Sequence, residues 1–187
     1  MSGFLRIAAA MLGLILILSQ QVMADGVDFR RVALTLSEDG RILLDADIAY
    51  DLNETVSEAL ENGVPLTFEL HVQVRDADAW IWDADLAEAR LRSLLRYHPL
   101  SSLYEVTDLE TGEVTSFATR AAALRQLGQV RGLPVIALDR LESGAAYTLR
   151  MEAYLDVDVL PLPLRPQAYL SRAWTLKSEV WEWRLQP

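Results

Sequence analysis

Two imidazoles, His71 and His98, are the only side chains of this 187-residue sequence suited to proton transfer at neutral pH. Neither sits in a recognisable catalytic frame. There is no G-x-S-x-G elbow to present a serine, and the serines nearest His98, Ser101 and Ser102, lie in a plain turn. Two histidines cannot build a three-His zinc site, and the lack of cysteine excludes thiolate catalysis, disulfides, Cys-ligated zinc and iron–sulfur clusters. Acidic residues recur in four Asp-x-Asp pairs: Asp45/Asp47, Asp76/Asp78, Asp83/Asp85 and Asp156/Asp158. On a strand this spacing puts both carboxylates on one face, where oxygen ligands could grip Ca²⁺ or Mg²⁺. Asp45/Asp47 and Asp156/Asp158 fall on the polar sides of strands, so solvated faces account for them. Asp76, Asp78, Asp83 and Asp85 flank one turn and form the weak alternative of a cation site, without the glycine or spacing of an EF-hand. The reading is that the protein is not an enzyme and carries no cofactor.

The residues better suited to binding are apolar. Five tryptophans include the close pairs Trp80/Trp82 and Trp181/Trp183. Tryptophan on an exposed sheet face stacks sugar rings or anchors a protein contact. Leu160, Leu162 and Leu164 alternate with prolines in LPLPLRP, a segment fit either to dock on a partner or to cross over and pack on the domain.

The elements that must position these residues are strands. Charged residues make up 24% and hydrophobic residues 51%, an ordinary globular composition. Period-two alternation dominates. Val32, Leu34 and Leu36 turn at Glu38-Asp39-Gly40 into Ile42, Leu44, Ala46, Ile48 and Tyr50. Asn53 caps a short helix that Asn62-Gly63 ends. Leu66, Phe68, Leu70, Val72 and Val74 alternate with Thr67, Glu69, His71, Gln73 and Arg75. Residues 83–97 carry both periodicities: Ala84, Ala87, Leu91 and Leu94 at helical spacing, or Ala87, Ala89, Leu91, Ser93, Leu95 and Tyr97 on one strand face. We take the strand, because it pairs directly with its neighbour. A second hairpin spans Tyr104 to Phe117, and Thr119 caps a helix ending near Gly128 or Gly132. Tyr147 to Val159 alternates most cleanly, and a last strand is expected from Trp174 to Leu185. Its parity changes, which implies a bulge or a strand that moves between sheets. About seven strands, two short helices and no βαβ rhythm predict a mainly β chain, an antiparallel β-sandwich of immunoglobulin-like kind.

Residues 1–24 read as a signal peptide, with Arg6 in the n-region, an apolar run from Ile7 to Leu18, and cleavage after Ala24. The run is short of the roughly 20 residues of a spanning helix, so an uncleaved inner-membrane anchor is the lesser reading. Residues 25–187 then form one domain of periplasmic location, with no membrane span after signal removal. The net charge of −10, one unit more acidic once Arg6 leaves, argues against nucleic acid.

The strings LRYHPLSSLYEV, DLETGE, LPLPLRPQAYLS and W-x-L-x-S-x-x-W-x-W together resemble a family of small exported proteins of Gram-negative bacteria that is catalogued as a domain of unknown function. The likeness runs from Phe29 to Pro187. It implies a periplasmic protein often encoded beside a membrane sensor histidine kinase of the nitrogen-regulation type, and it brings no catalytic residue. It also favours the strand reading of residues 87–100. The resulting expectation is an exported non-enzymatic interaction module. Its partner would be an envelope protein such as that kinase, bound through an edge strand, the tryptophans or the Leu-Pro segment. The alternative is a sandwich that binds glycans or small ligands through exposed tryptophan pairs. A homodimer through a sheet edge stays open.

Overall fold

A computed structural model describes residues 26–77 and 85–185. The leader and its cleavage site therefore lie outside the described residues, as do Trp80, Trp82, Asp78 and Asp83. Nine strands and three α-helices follow in the order β1 (Gly26–Leu36), β2 (Arg41–Asp51), α1 (Glu54–Glu61), β3 (Leu66–Asp76), β4 (Ala87–His98), β5 (Leu103–Asp108), β6 (Val114–Phe117), α2 (Arg120–Leu127), β7 (Gln129–Ala137), β8 (Tyr147–Leu155), α3 (Arg165–Leu170) and β9 (Trp181–Leu185). All pairings are antiparallel, in a three-stranded sheet β1-β2-β7 and a six-stranded sheet β6-β5-β4-β3-β8-β9. The chain is thus mainly β, with more strands and helices than the seven and two expected. Among the described residues, no helix is long and apolar enough to cross a membrane.

The alternation explains the core. Leu66, Phe68, Leu70, Val72 and Val74 of β3 are buried beside Leu155, Ala153, Met151 and Leu149 of β8, their cross-strand partners. Residues directly opposite each other share a face, so one period-two pattern reinforces the next. Residues 87–98 form the strand β4, with Leu95 buried and Arg90 and Arg92 outward. From the smaller sheet, Leu44, Ala46 and Ile48 of β2 are buried, and Tyr50 meets the ring of Phe68 edge-on at 4.9 Å. Between the sheets, Ile48, Phe68, Leu91 and Val130 border a space of about 10 Å³, no more than one water can use.

Two helices are fixed by the caps their sequences offer. Asn53 accepts from Val56 N–H at 3.0 Å and donates from Nδ2 to the Ala173 carbonyl at 2.6 Å, so one side chain starts α1 and ties it to the distant C-terminal segment. Thr119 accepts from Ala122 N–H at 3.2 Å to start α2.

Two expectations need correction, and two elements go beyond the sequence reading. Strand β7, which the sequence reading does not assign, carries Gly132 and Pro134, two residues that weaken a strand signal. It is tolerated because it lies at a sheet edge and pairs through two register shifts. Strand β8 stops at Leu155 rather than Val159. The Asp156 carboxylate accepts from Asp158 N–H at 2.9 Å and turns the chain into a 3₁₀ turn at Val157–Val159. The two carboxylates therefore do not share a strand face. LPLPLRP leads into α3, with Pro166 inside the first turn, where its missing N–H costs nothing. Finally, the last strand begins at Trp181, while Trp174 ends a 3₁₀ turn and is buried. Lys177 lies opposite Tyr154 and Trp181 opposite Met151, so four steps of the last segment match three of β8. That extra residue is the origin of the parity change, and it leaves Val180 exposed.

Candidate functional site: an exposed apolar segment

The segment from Val157 to Leu170 is a short loop and helix fixed from below. Leu160 is 0% exposed and anchors it, as does Ala168 of α3. The Arg165 guanidinium donates to the Leu160 carbonyl at 2.7 Å, and the Tyr169 hydroxyl donates to the Asp158 carboxylate. On this braced frame Leu162 is 72% and Leu170 90% exposed, with Val159 and Tyr169 also exposed. Leu164 is half-buried. Large side chains scattered singly over a surface are ordinary, and four within one fourteen-residue segment are a local concentration of them. The three leucines of LPLPLRP are thus divided between buried anchor, exposed surface and half-buried support.

The tryptophans of β9 lie elsewhere. Trp181, Trp183 and Leu185 stand opposite Met151, Leu149 and Tyr147 and share their core-facing side. Being on the edge strand, they are incompletely covered, and Trp183 is 44% exposed. The two indoles lie 5.3 Å apart at 49°. Trp181 also borders a recess of about 220 Å³ between Val27–Phe29 of β1 and Ser178–Val180.

The titratable groups are engaged with one another. On the outer face of the larger sheet, His71 Nε2 lies 2.6 Å from the Glu88 carboxylate, which also takes Arg90 at 2.6 Å. Arg90, then His71, hold the Glu88 carboxyl below its ordinary range. Glu69 is 4% exposed. Its carboxylate accepts from the Tyr154 hydroxyl at 2.8 Å and has Arg90 at 3.8 Å. Burial, and then the Glu69 hydrogen bond, push the Tyr154 phenol up. His98 sits 3.4 Å from Glu105 without hydrogen-bonding geometry. Asp85 accepts from Gln73 at 2.5 Å and pairs with Arg75. Asp76 ends β3, nine residues before it. Among the described residues, no group of three or more acidic or imidazole side chains is arranged to hold a metal.

Asp45 and Asp47 do more than solvate a face. Asp45 accepts from Gly132 N–H at 2.7 Å, and Asp47 holds Arg131, so the pair secures β7 where its register shifts. Sequence reasoning missed this, and missed Glu69, because alternation assigns each to a polar side without saying what covers that side.

No curated protein and no solved structure matches the chain. The family model described as a domain of unknown function, DUF4390, matches residues 24–184, and the chain belongs to that family.

Proposed function

We propose that this protein is an exported, non-enzymatic interaction module that docks on another envelope protein through the Leu162, Tyr169 and Leu170 surface. The observation that carries the reading is the combination of exposure and rigidity there. A braced apolar surface loses little entropy on binding, and a Tyr flanked by leucines has the make-up of an interface anchor.

In this reading the two sheets close as an immunoglobulin-like sandwich. The leader is removed after Ala24, the mature chain is periplasmic, and the extracytoplasmic part of a membrane sensor histidine kinase is the first partner to test. The start of the family match at residue 24 supports the division between leader and domain. The glycan-binding alternative rests on Trp183. Its ring leans on Trp181 at 49° rather than lying in a common plane with it, which favours a protein contact over a flat sugar platform.

The test is an affinity capture of the tagged chain from crosslinked envelopes, in parallel with Leu162→Ser/Leu170→Ser and Trp181→Ala/Trp183→Ala. One membrane protein recovered near equal amounts, lost with the leucine pair and kept with the tryptophan pair, is the expected result. Recovery unaffected by the leucine pair would place the interface elsewhere. Quenching of tryptophan emission by soluble glycans, absent in the tryptophan pair, would favour the alternative.

A further inference from the structure

Between α2 and the end of β2 runs an open groove of about 610 Å³, within the size range of small-molecule sites. Ala49 and Leu124, with Ile48 and Tyr50 from the core-facing side of β2, supply its apolar lining, and Arg30, Arg125 and Arg131 supply its cations. These cations are unusual in a chain of net charge −10. Asp47 is the acid lining the groove, and it is shared by Arg31 at 3.1 Å and by Arg131. Arg131 is further fixed by 2.8 Å hydrogen bonds to the carbonyls of Ala46 and Val130. Arg30 has only a 3.7 Å pairing with Asp28. Arg125 has no hydrogen-bonded or ionic partner among the described residues, and neither does the Tyr50 hydroxyl.

The groove therefore combines three guanidiniums against one carboxylate with an apolar lining and an unengaged phenol. We propose that it binds a single-chain anionic amphiphile, its acyl chain along Ala49 and Leu124 and its carboxylate or phosphate head on Arg125, with Arg30 and Arg131 beside it. A neutral apolar ligand would leave the cations unused, and a small inorganic anion would leave the apolar lining unused. The two halves of the site together select the amphiphile. Arginine matches either head geometrically, because its planar fork meets two oxygens at once. This site is separate from the Leu162 surface and does not depend on it.

The experiment is titration calorimetry of the purified chain, as the cell produces it, with dodecanoate, dodecyl phosphate and the uncharged dodecyl maltoside, each below its micelle concentration. One anion per chain is expected, with the maltoside at least roughly tenfold weaker. Arg125→Glu, at an exposed position without a partner, should weaken both anions by roughly tenfold or more while the melting temperature holds. Leu124→Trp, which crowds the apolar lining, should block the acyl chain. The tighter of the two anions identifies the head group. Binding that is undiminished in Arg125→Glu, equal affinity for the maltoside, or no heat with either anion would each overturn the proposal. So would displacement of the amphiphile only by an acidic peptide.

Discussion

Gly128 ends α2 with φ −82° and ψ −2°, a conformation open to any residue. By helix propensity alone, alanine there should stabilise the protein by up to about 1 kcal/mol. The packing demands the reverse. A Cβ at Gly128 would lie 1.9 Å from the Ile48 carbonyl oxygen and 2.9 Å from its carbon. Real Cβ atoms keep at least 3.0 Å, so α2 or β2 would have to retreat by about 1 Å against close-packed neighbours. The retreat strains the 2.8 Å bond from Ile48 N–H to the Gly128 carbonyl, worth about 1 kcal/mol. It also loosens Ala123 and Leu127, which are buried beneath the helix, at roughly 2–3 kcal/mol. Gly128→Ala should therefore cost about 3 kcal/mol, or about 6–12 °C in melting temperature for a domain of this size. Urea unfolding followed by tryptophan emission measures it. Gly112→Ala is the control: Gly112 has φ +74° and open space around it, so only the left-handed backbone term of roughly 1–2 kcal/mol applies. Equal losses in the two variants, or a gain in Gly128→Ala, would refute the close approach of α2 to β2.

Three further outcomes are expected. Leu160→Ala should cost roughly 2–5 kcal/mol, whereas Leu162→Ser and Leu170→Ser should stay within about 0.5 kcal/mol, a contrast that thermal melts resolve. Tyr154→Phe removes the hydroxyl donor from the buried Glu69 carboxylate and should cost roughly 1–3 kcal/mol by urea unfolding. Because Glu88 ionises more readily when folded, its contribution is present above its ordinary value of 4.5 and is lost as the pH falls through its lower folded value. Glu88→Gln should therefore flatten the acid limb of a stability profile below about pH 4.5 while leaving the shape near neutrality unchanged.

Much of the fold is readable in the sequence, because one face of each long strand is buried and period-two alternation reports that directly. Strands β2, β3 and β8 and the caps at Asn53 and Thr119 all come from such local signals, whereas β4, whose local periodicity fits a helix equally, is decided by the neighbour it pairs with. What escapes is decided by distant neighbours. Pro134 and Gly132 hide β7, whose place depends on Asp45 and Asp47 far upstream. Gly128 looks like an ordinary helix stop, and its real constraint is a carbonyl eighty positions away in the chain. Leu160 and Leu162 have the same chemistry and nearly the same surroundings in sequence. They part only because the turn begun by Asp156 points one inward. Which leucine is surface and which is core is therefore not legible from hydropathy.

The topology has a consequence for how the chain reaches this state. The run β3-β4-β5-β6 is a meander whose contacts are local, so it closes short loops and forms at small entropic cost. The core strands on its flank wait longer. The bond from Arg131 to Ala46 and that from Tyr154 to Glu69 each bridge 85 positions, so β2 and β3 gain their second neighbours only when the last third of the chain arrives. Until then both present an unpaired backbone edge beside Leu44, Leu70 and Val72. The order of synthesis therefore runs against the order of pairing: β7 and β8 complete sheets whose inner strands are made long before them.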